Sequence, residues 1–207
     1  DVSGVTDMTD AFSGATLSTA NYDALLIGWG SQTVQTGVVF HGGNSYYTPG
    51  GAAEAGRNTL TGTYSWTITD AGPLPARVWR GTSSGQWTTA TNWAGDILPS
   101  AGEVVIFDNT STANLTTTNG ISGLTNMGLV IANPPGAVSI AGNAIALGAS
   151  GLDMSAAAQN LTVSASLSAG SVCPVSVVSG RSLEVAGTLT ISGSVEKVGA
   201  GDLLLTG

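Results

Sequence analysis

Between residues 136 and 207, apolar and polar positions alternate in runs of a few residues, and glycine, serine or asparagine closes nearly every run. Val138-Ser139-Ile140, Leu161-Thr162-Val163, Leu183-Glu184-Val185 and Leu189-Thr190-Ile191 each place two apolar side chains on one face and a polar one on the other. That is the period-2 pattern of a half-buried strand. Ala144-Ile145-Ala146-Leu147 and Leu203-Leu204-Leu205 continue the series with apolar residues throughout. Strands this short are poor material for a hairpin meander with its own core. Aligning Leu161, Leu183 and Leu203 gives steps of 22 residues (161 to 183) and 20 residues (183 to 203). Such a step is the length of one coil of a parallel β-solenoid, built of three short strands and three turns. The pattern therefore predicts a mainly β fold, a right-handed parallel β-helix, with coils from 115 onward stacking their inward apolar residues.

Upstream the period changes. Tyr22, Leu25, Leu26 and Trp29 fall at i, i+3, i+4 and i+7, one face of a helix over 18–29, with Ser18 or Thr19 as N-cap and Gly28 and Gly30 at its end. Residues 38–40 read as a strand, 49–60 as a second, weaker helix and 64–70 as a closing strand. Val2, Val5 and Met8 recur every three residues, as inward residues of a tightly turning coil do, and one coil alone cannot bury them. Pro73 and Pro75 favour an extended spacer. The expected organisation is a small α/β capping domain at 1–72, a linker at 73–77 and the β-helix, with a tryptophan-rich start, at 78–207.

Composition narrows the function classes. Charged residues make up 9 % of the 207, against about 25 % in an average globular domain. Glycine occurs 30 times, and Lys plus Arg number 5 within a net charge of −8, which speaks against nucleic-acid or anionic-membrane partners. Low charge with a positive mean hydropathy argues against disorder. No uninterrupted apolar run is long enough for a membrane-inserted helix. The lone Cys173, within Val172-Cys173-Pro174-Val175, reads as a buried small hydrophobe, because no basic neighbour in sequence lowers its pKa. A start at Asp1 and an end inside a repeating pattern suggest a piece of a longer secreted protein.

Residues 1–15 resemble one unit of the BspA-like bacterial surface repeat, a leucine-rich-repeat relative reading D-V-S-x-V-T-x-M-x-x-M-F-x-G-A, at Val2, Val5, Met8, Phe12, Gly14 and Ala15, with Ala11 replacing a methionine. The carboxy-terminal signatures of such arrays, N-Y-D-x-L-L-x-G-W, G-N-S-x-Y, A-x-x-A-R-x-x-L and W-x-I-x-D-x-G, correspond to residues 21–29, 43–46, 52–60 and 66–72, with Gly56 inserted before Arg57. The resemblance implies a terminal cap on a repeat stack. Trp79, Gly85, Trp87, Asn92 and Trp93, followed by Pro99, Gly102, Val105, Phe107 and Asp108, resemble the opening of autotransporter-associated β-strand repeat proteins, with Glu103 where aspartate is usual. Val195, Lys197, Gly199, Gly201, Leu203, Leu205 and Gly207 are similar to that family's repeat L-x-K-x-G-x-G-x-L-x-L-x-G. Both resemblances imply adhesion, display or structural extension at a bacterial surface, and neither brings a catalytic residue.

The chemistry available is sparse. β-helix enzymes that cleave polysaccharides need clustered carboxylates, or carboxylates with a cation, on an exposed face. From 115 onward the charged residues are Asp153, Arg181, Glu184, Glu196, Lys197 and Asp202, of which Glu184 and Asp202, 18 residues apart, are the one pair to consider. His41 is the sole histidine and reads as a turn residue at a strand end, so no catalytic triad or multi-histidine metal site forms within the chain. Asp1, Asp7 and Asp10 match no calcium-loop spacing. Asn109, Asn114 and Asn160 begin glycosylation-type triplets but read as polar turns. Trp79, Trp87 and Trp93 suit either a sugar-stacking platform or a lid over the first coil. The expectation is a non-catalytic, extracellular or cell-surface structural protein without cofactors or metals. Its Leu203-Leu204-Leu205 end either continues into further repeats or stacks head to tail on another copy. A carbohydrate-binding adhesin is the second reading and a polysaccharide-degrading enzyme the third.

Overall fold

The computed structural model describes residues 1–170 and 172–207. The chain divides into two compact units, Asp1–Leu74 and Pro75–Gly207.

The first unit contains helix α1 (Thr19–Gly30), strands β1 (Val39–His41) and β2 (Tyr46–Tyr47), helix α2 (Ala52–Asn58), and strands β3 (Thr67–Thr69) and β4 (Gly72–Pro73). Ser18 caps α1, its hydroxyl accepting from the Asn21 N–H at 3.3 Å. Gly28 lies inside the helix rather than ending it, and α2 is shorter than its expected span, running on into a π-helical turn at Thr59–Thr63. β1 pairs β3 in parallel with Phe40 opposite Ile68, β2 pairs β4 in parallel with Tyr46 opposite Gly72, and Met8 bridges Phe40 in parallel. Helical segments fall between successive parallel segments. Tyr22, Leu26, Phe40, Leu60 and Trp66 form the core, with Val2, Met8 and Phe12 packed against it. A Cβ on Gly30 would stand 2.6 Å from the Gly56 Cα, so α1 and α2 approach backbone to backbone. Gly56, an insertion relative to the motif, is what this approach requires.

One buried carboxylate ties the unit together. Asp70 accepts from the Tyr22 hydroxyl at 2.8 Å, from Arg57 Nε at 2.9 Å and Nη2 at 3.1 Å, and from the Gly72 N–H at 3.1 Å. The Arg57 guanidinium also lies 5.3 Å from the centroid of the Tyr47 ring. Burial pulls the Arg57 pKa down, but the hydrogen bonds and charge of Asp70 outweigh it and raise the pKa overall. Burial, followed by the bond to Asp70 and its charge, pushes the Tyr22 phenol up.

The second unit is mainly β: β5 (Ala76–Val78), β6 (Val104–Asp108), β7 (Thr116–Asn119), β8 (Met127–Ala132), β9 (Val138–Gly142), β10 (Ile145–Met154), β11 (Leu161–Val163), β12 (Leu167–Ala169), β13 (Val172–Val177), β14 (Ser182–Val185), β15 (Leu189–Ile191), β16 (Ser194–Val198) and β17 (Asp202–Leu205). One sheet has the order β15-β12-β10-β8-β6-β5, with β13 pairing β10 and β16; the other has the order β17-β14-β11-β9-β7. Every strand pair among the described residues is parallel. Val138, Leu161, Leu183 and Leu203 stand side by side in the second sheet, at the 22- and 20-residue steps read from the sequence. Ile145, Leu167 and Leu189 align likewise in the first.

Parallel pairing begins before residue 115, with Ala76 opposite Val104, and Pro73, Ala76 and Arg77, expected in a linker, are strand residues. A single core runs from Trp79 to Val185. Gly151 has φ +59°, and a Cβ there would drive into the Pro174 carbonyl of the neighbouring strand. β7, a Thr-Thr-Thr-Asn strand, gives no apolar signal. Its buried Thr117 donates to the Ser139 carbonyl at 2.9 Å, and the buried Asn119 donates to the Asn143 carbonyl at 3.0 Å.

Candidate functional site

The described strands of the second unit leave a bare edge at the carboxy-terminal side. β15 pairs only β12, β16 only β13 and β17 only β14, so each has one side without a ladder partner among the described residues. Leu189, Val195 and Leu203 pack against the core while remaining half-buried. Leu204 and Leu205 are 47 % and 59 % exposed, and Ile191 and Val198 are exposed as well. A narrow apolar cavity with Cys173, Val175, Leu189, Val195 and Leu203 in its lining reaches these last strands. Unpaired backbone groups beside exposed aliphatic side chains make an edge able to accept another strand. Within β16, Lys197 stands opposite Val175, a core residue, and its ammonium donates to the carbonyls of Val198 at 2.9 Å and Gly199 at 2.8 Å.

The tryptophans lie elsewhere. Trp79 and Trp87 are 0 % exposed and Trp93 is 1 % exposed, so none of the three presents an open face to a sugar ring. Trp93 stands edge-to-face with Trp79 (centroids 4.9 Å apart) and with Trp87 (5.4 Å), and Phe107 lies 6.0 and 6.5 Å from those two. Trp93 Nε1 donates to the Trp87 carbonyl at 2.8 Å. The buried Asn92 holds the preceding loop, its Oδ1 accepting from the N–H groups of Ser83 (2.8 Å) and Ser84 (3.0 Å) and its Nδ2 donating to the Gln86 carbonyl (2.9 Å). This is a physical reason for Asn-Trp at 92–93.

The acidic pair considered from the sequence is not opposed. Glu184 faces Leu204 and Asp202 faces Ser182. Glu184 accepts from Thr162 at 3.3 Å on one neighbouring strand and from Thr206, just past the other, at 3.1 Å. This spends both of its oxygens on hydroxyls. His41 ends β1, its Nδ1 accepting from the Gly43 N–H at 3.0 Å. Asp1, Asp7 and Asp10 are all exposed; Asp1 and Asp7 accept from the N–H groups of Ser3 and Thr9, and bonds from the Thr9 hydroxyl and N–H hold the Asp7 carboxyl below its ordinary pKa. Cys173 is buried, and burial pushes its thiol up to about 11. Asn160 accepts from the Ser182 N–H, 22 residues on, at 3.1 Å, and Asn114, at φ +50°, donates to the Gly81 carbonyl.

The sequence pattern marks the exposed leucines but not Lys197 as an edge residue. Its signal is the step of 22 from Val175, which Pro174 hides by arguing locally against a strand there. Comparisons with family models, with curated proteins and with solved structures give no match to this chain.

Proposed function

We propose that the chain is a non-catalytic structural protein of a bacterial surface, and that its second unit is a right-handed parallel β-helix forming a stiff rod. The first unit is its BspA-like neighbour, and residues 78–207 are akin to autotransporter-associated repeats. The observation that carries this reading is the unbroken parallel register of Val138, Leu161, Leu183 and Leu203. Residues about one coil apart meet side by side at each step, which is how a solenoid sums nearest-neighbour interfaces into stiffness. Spent polar side chains support the non-catalytic part. Glu184 is held by two threonines and Lys197 by two carbonyls, an arrangement that serves cohesion rather than proton transfer.

Paired cysteines test the register. A Thr162→Cys/Glu184→Cys variant is expected to form an intrachain disulfide, because directly opposed residues of parallel strands have Cα atoms within bridging reach. A Thr162→Cys/Ala186→Cys control, out of register by two, is expected to stay reduced. The opposite result would remove the rod. Product release from pectin or alginate by the purified chain would remove the non-catalytic reading.

A further inference from the structure

One inward row of the second unit can be followed from its first strand to the bare edge. Arg77 lies beside Val105, Val105 beside Leu129, Leu129 beside Leu152, Leu152 beside Val175, and Val175 beside Lys197. The four central residues are buried members of one core. Both ends of the row are cations, and both belong to edge strands, since β5 pairs only β6 and β16 only β13 among the described residues. Each cation is held locally. Arg77 pairs with Glu103 at 2.6 Å and donates to the Ala76 carbonyl at 3.0 Å, while the other Glu103 oxygen accepts from the Ser100 N–H. Lys197 is held by the turn carbonyls of Val198 and Gly199.

Resting on the rod reading, we infer that Arg77 and Lys197 are edge guards, which restrict what adds to the stack to strands carrying a carboxylate in this row. An apolar strand laid on β16 would cover the Lys197 ammonium and leave its third N–H without an acceptor in an apolar surround. Inward-pointing charge is one of the means by which sheet edges are kept from pairing indiscriminately. Head-to-tail stacking of two copies, the association expected from the exposed leucines, sets Lys197 of one copy beside Arg77 of the next. Like charges directly opposite one another destabilise a strand pair. Docking through two carboxy-terminal edges brings two Lys197 side chains toward one shared interior. Removing the charge therefore releases self-association, and keeping it in another form does not.

Sedimentation velocity of the full chain across a wide concentration range tests this. The wild type and Lys197→Arg are expected to remain monomeric. Lys197→Met and Lys197→Gln, two neutral replacements of similar length, are expected to self-associate with a dissociation constant lower by roughly tenfold or more. Adding Leu204→Lys to Lys197→Met is expected to restore the monomer. Neutral variants that keep a native circular dichroism spectrum and stay as monomeric as the wild type would overturn the inference. So would a wild type that associates as tightly as they do, or association that survives Leu204→Lys. Formation of the engineered disulfide between positions 162 and 184 alongside monomeric neutral variants would sink the guards and leave the rod standing; absence of that disulfide would sink both.

Discussion

Cys173 shows how burial alone sets a residue's chemistry. Its thiol is raised by desolvation, so the folded state holds the proton to a higher pH than the unfolded state does. Stability from this residue is complete below the ordinary thiol range and is lost as pH rises from there toward about 11. Denaturant titrations are expected to show midpoints falling over that interval, and a Cys173→Ala variant is expected to lose this part of the fall. At pH 8 a thiol reagent should label the native chain slowly and the unfolded chain at once. Asp70 is the opposite case, a charged residue that the fold needs. Asp70→Asn leaves the Arg57 guanidinium without its anionic partner, a change expected to cost about 3 kcal/mol in chemical denaturation. The two differ in legibility. Cys173 is readable because its sequence neighbours are apolar, whereas Tyr22 and Arg57 are brought to Asp70 by the fold from 48 and 13 residues away.

Elements are readable where the alternation is apolar against polar. Leu161-Thr162-Val163 and Leu183-Glu184-Val185 announce both their strands and their mutual register, because only one register keeps every leucine and valine on the core side. β7 is not readable, since its inward residues are Thr117 and Asn119, whose burial depends on acceptors supplied by the next strand and the turn after it. Nor is β13, where Pro174 argues locally against a strand yet sits beside Gly151, at the place where the β10–β8 register shifts between Leu147 and Leu152. Gly151→Ala is expected to destabilise the second unit by more than about 1 kcal/mol, through both its left-handed φ and the contact with Pro174, as read by thermal melting. Trp93→Ala removes the ring on which two other indoles stand edge-to-face, and is expected to cost about 3–5 kcal/mol.

At the scale of the whole molecule, cohesion owes little to charge. Two ion pairs, Arg57–Asp70 and Arg77–Glu103, are present among the described residues, within a chain carrying a net −8. The acidic excess keeps copies apart in neutral solution. With an isoelectric point near 4.1, turbidity is expected to peak around that pH, where mutual repulsion vanishes while the aliphatic edge of Leu204 and Leu205 stays exposed. The carboxylate of Glu184 acts at this scale too. By accepting one hydroxyl from below and another from above, it laces neighbouring layers on the outer surface, next to the amide ladder that joins them. A pull along the stacking direction is thus shared between main chain and side chain at that level. Separating the layers there means breaking both kinds of bond together, so rupture should start at levels lacking such a tie.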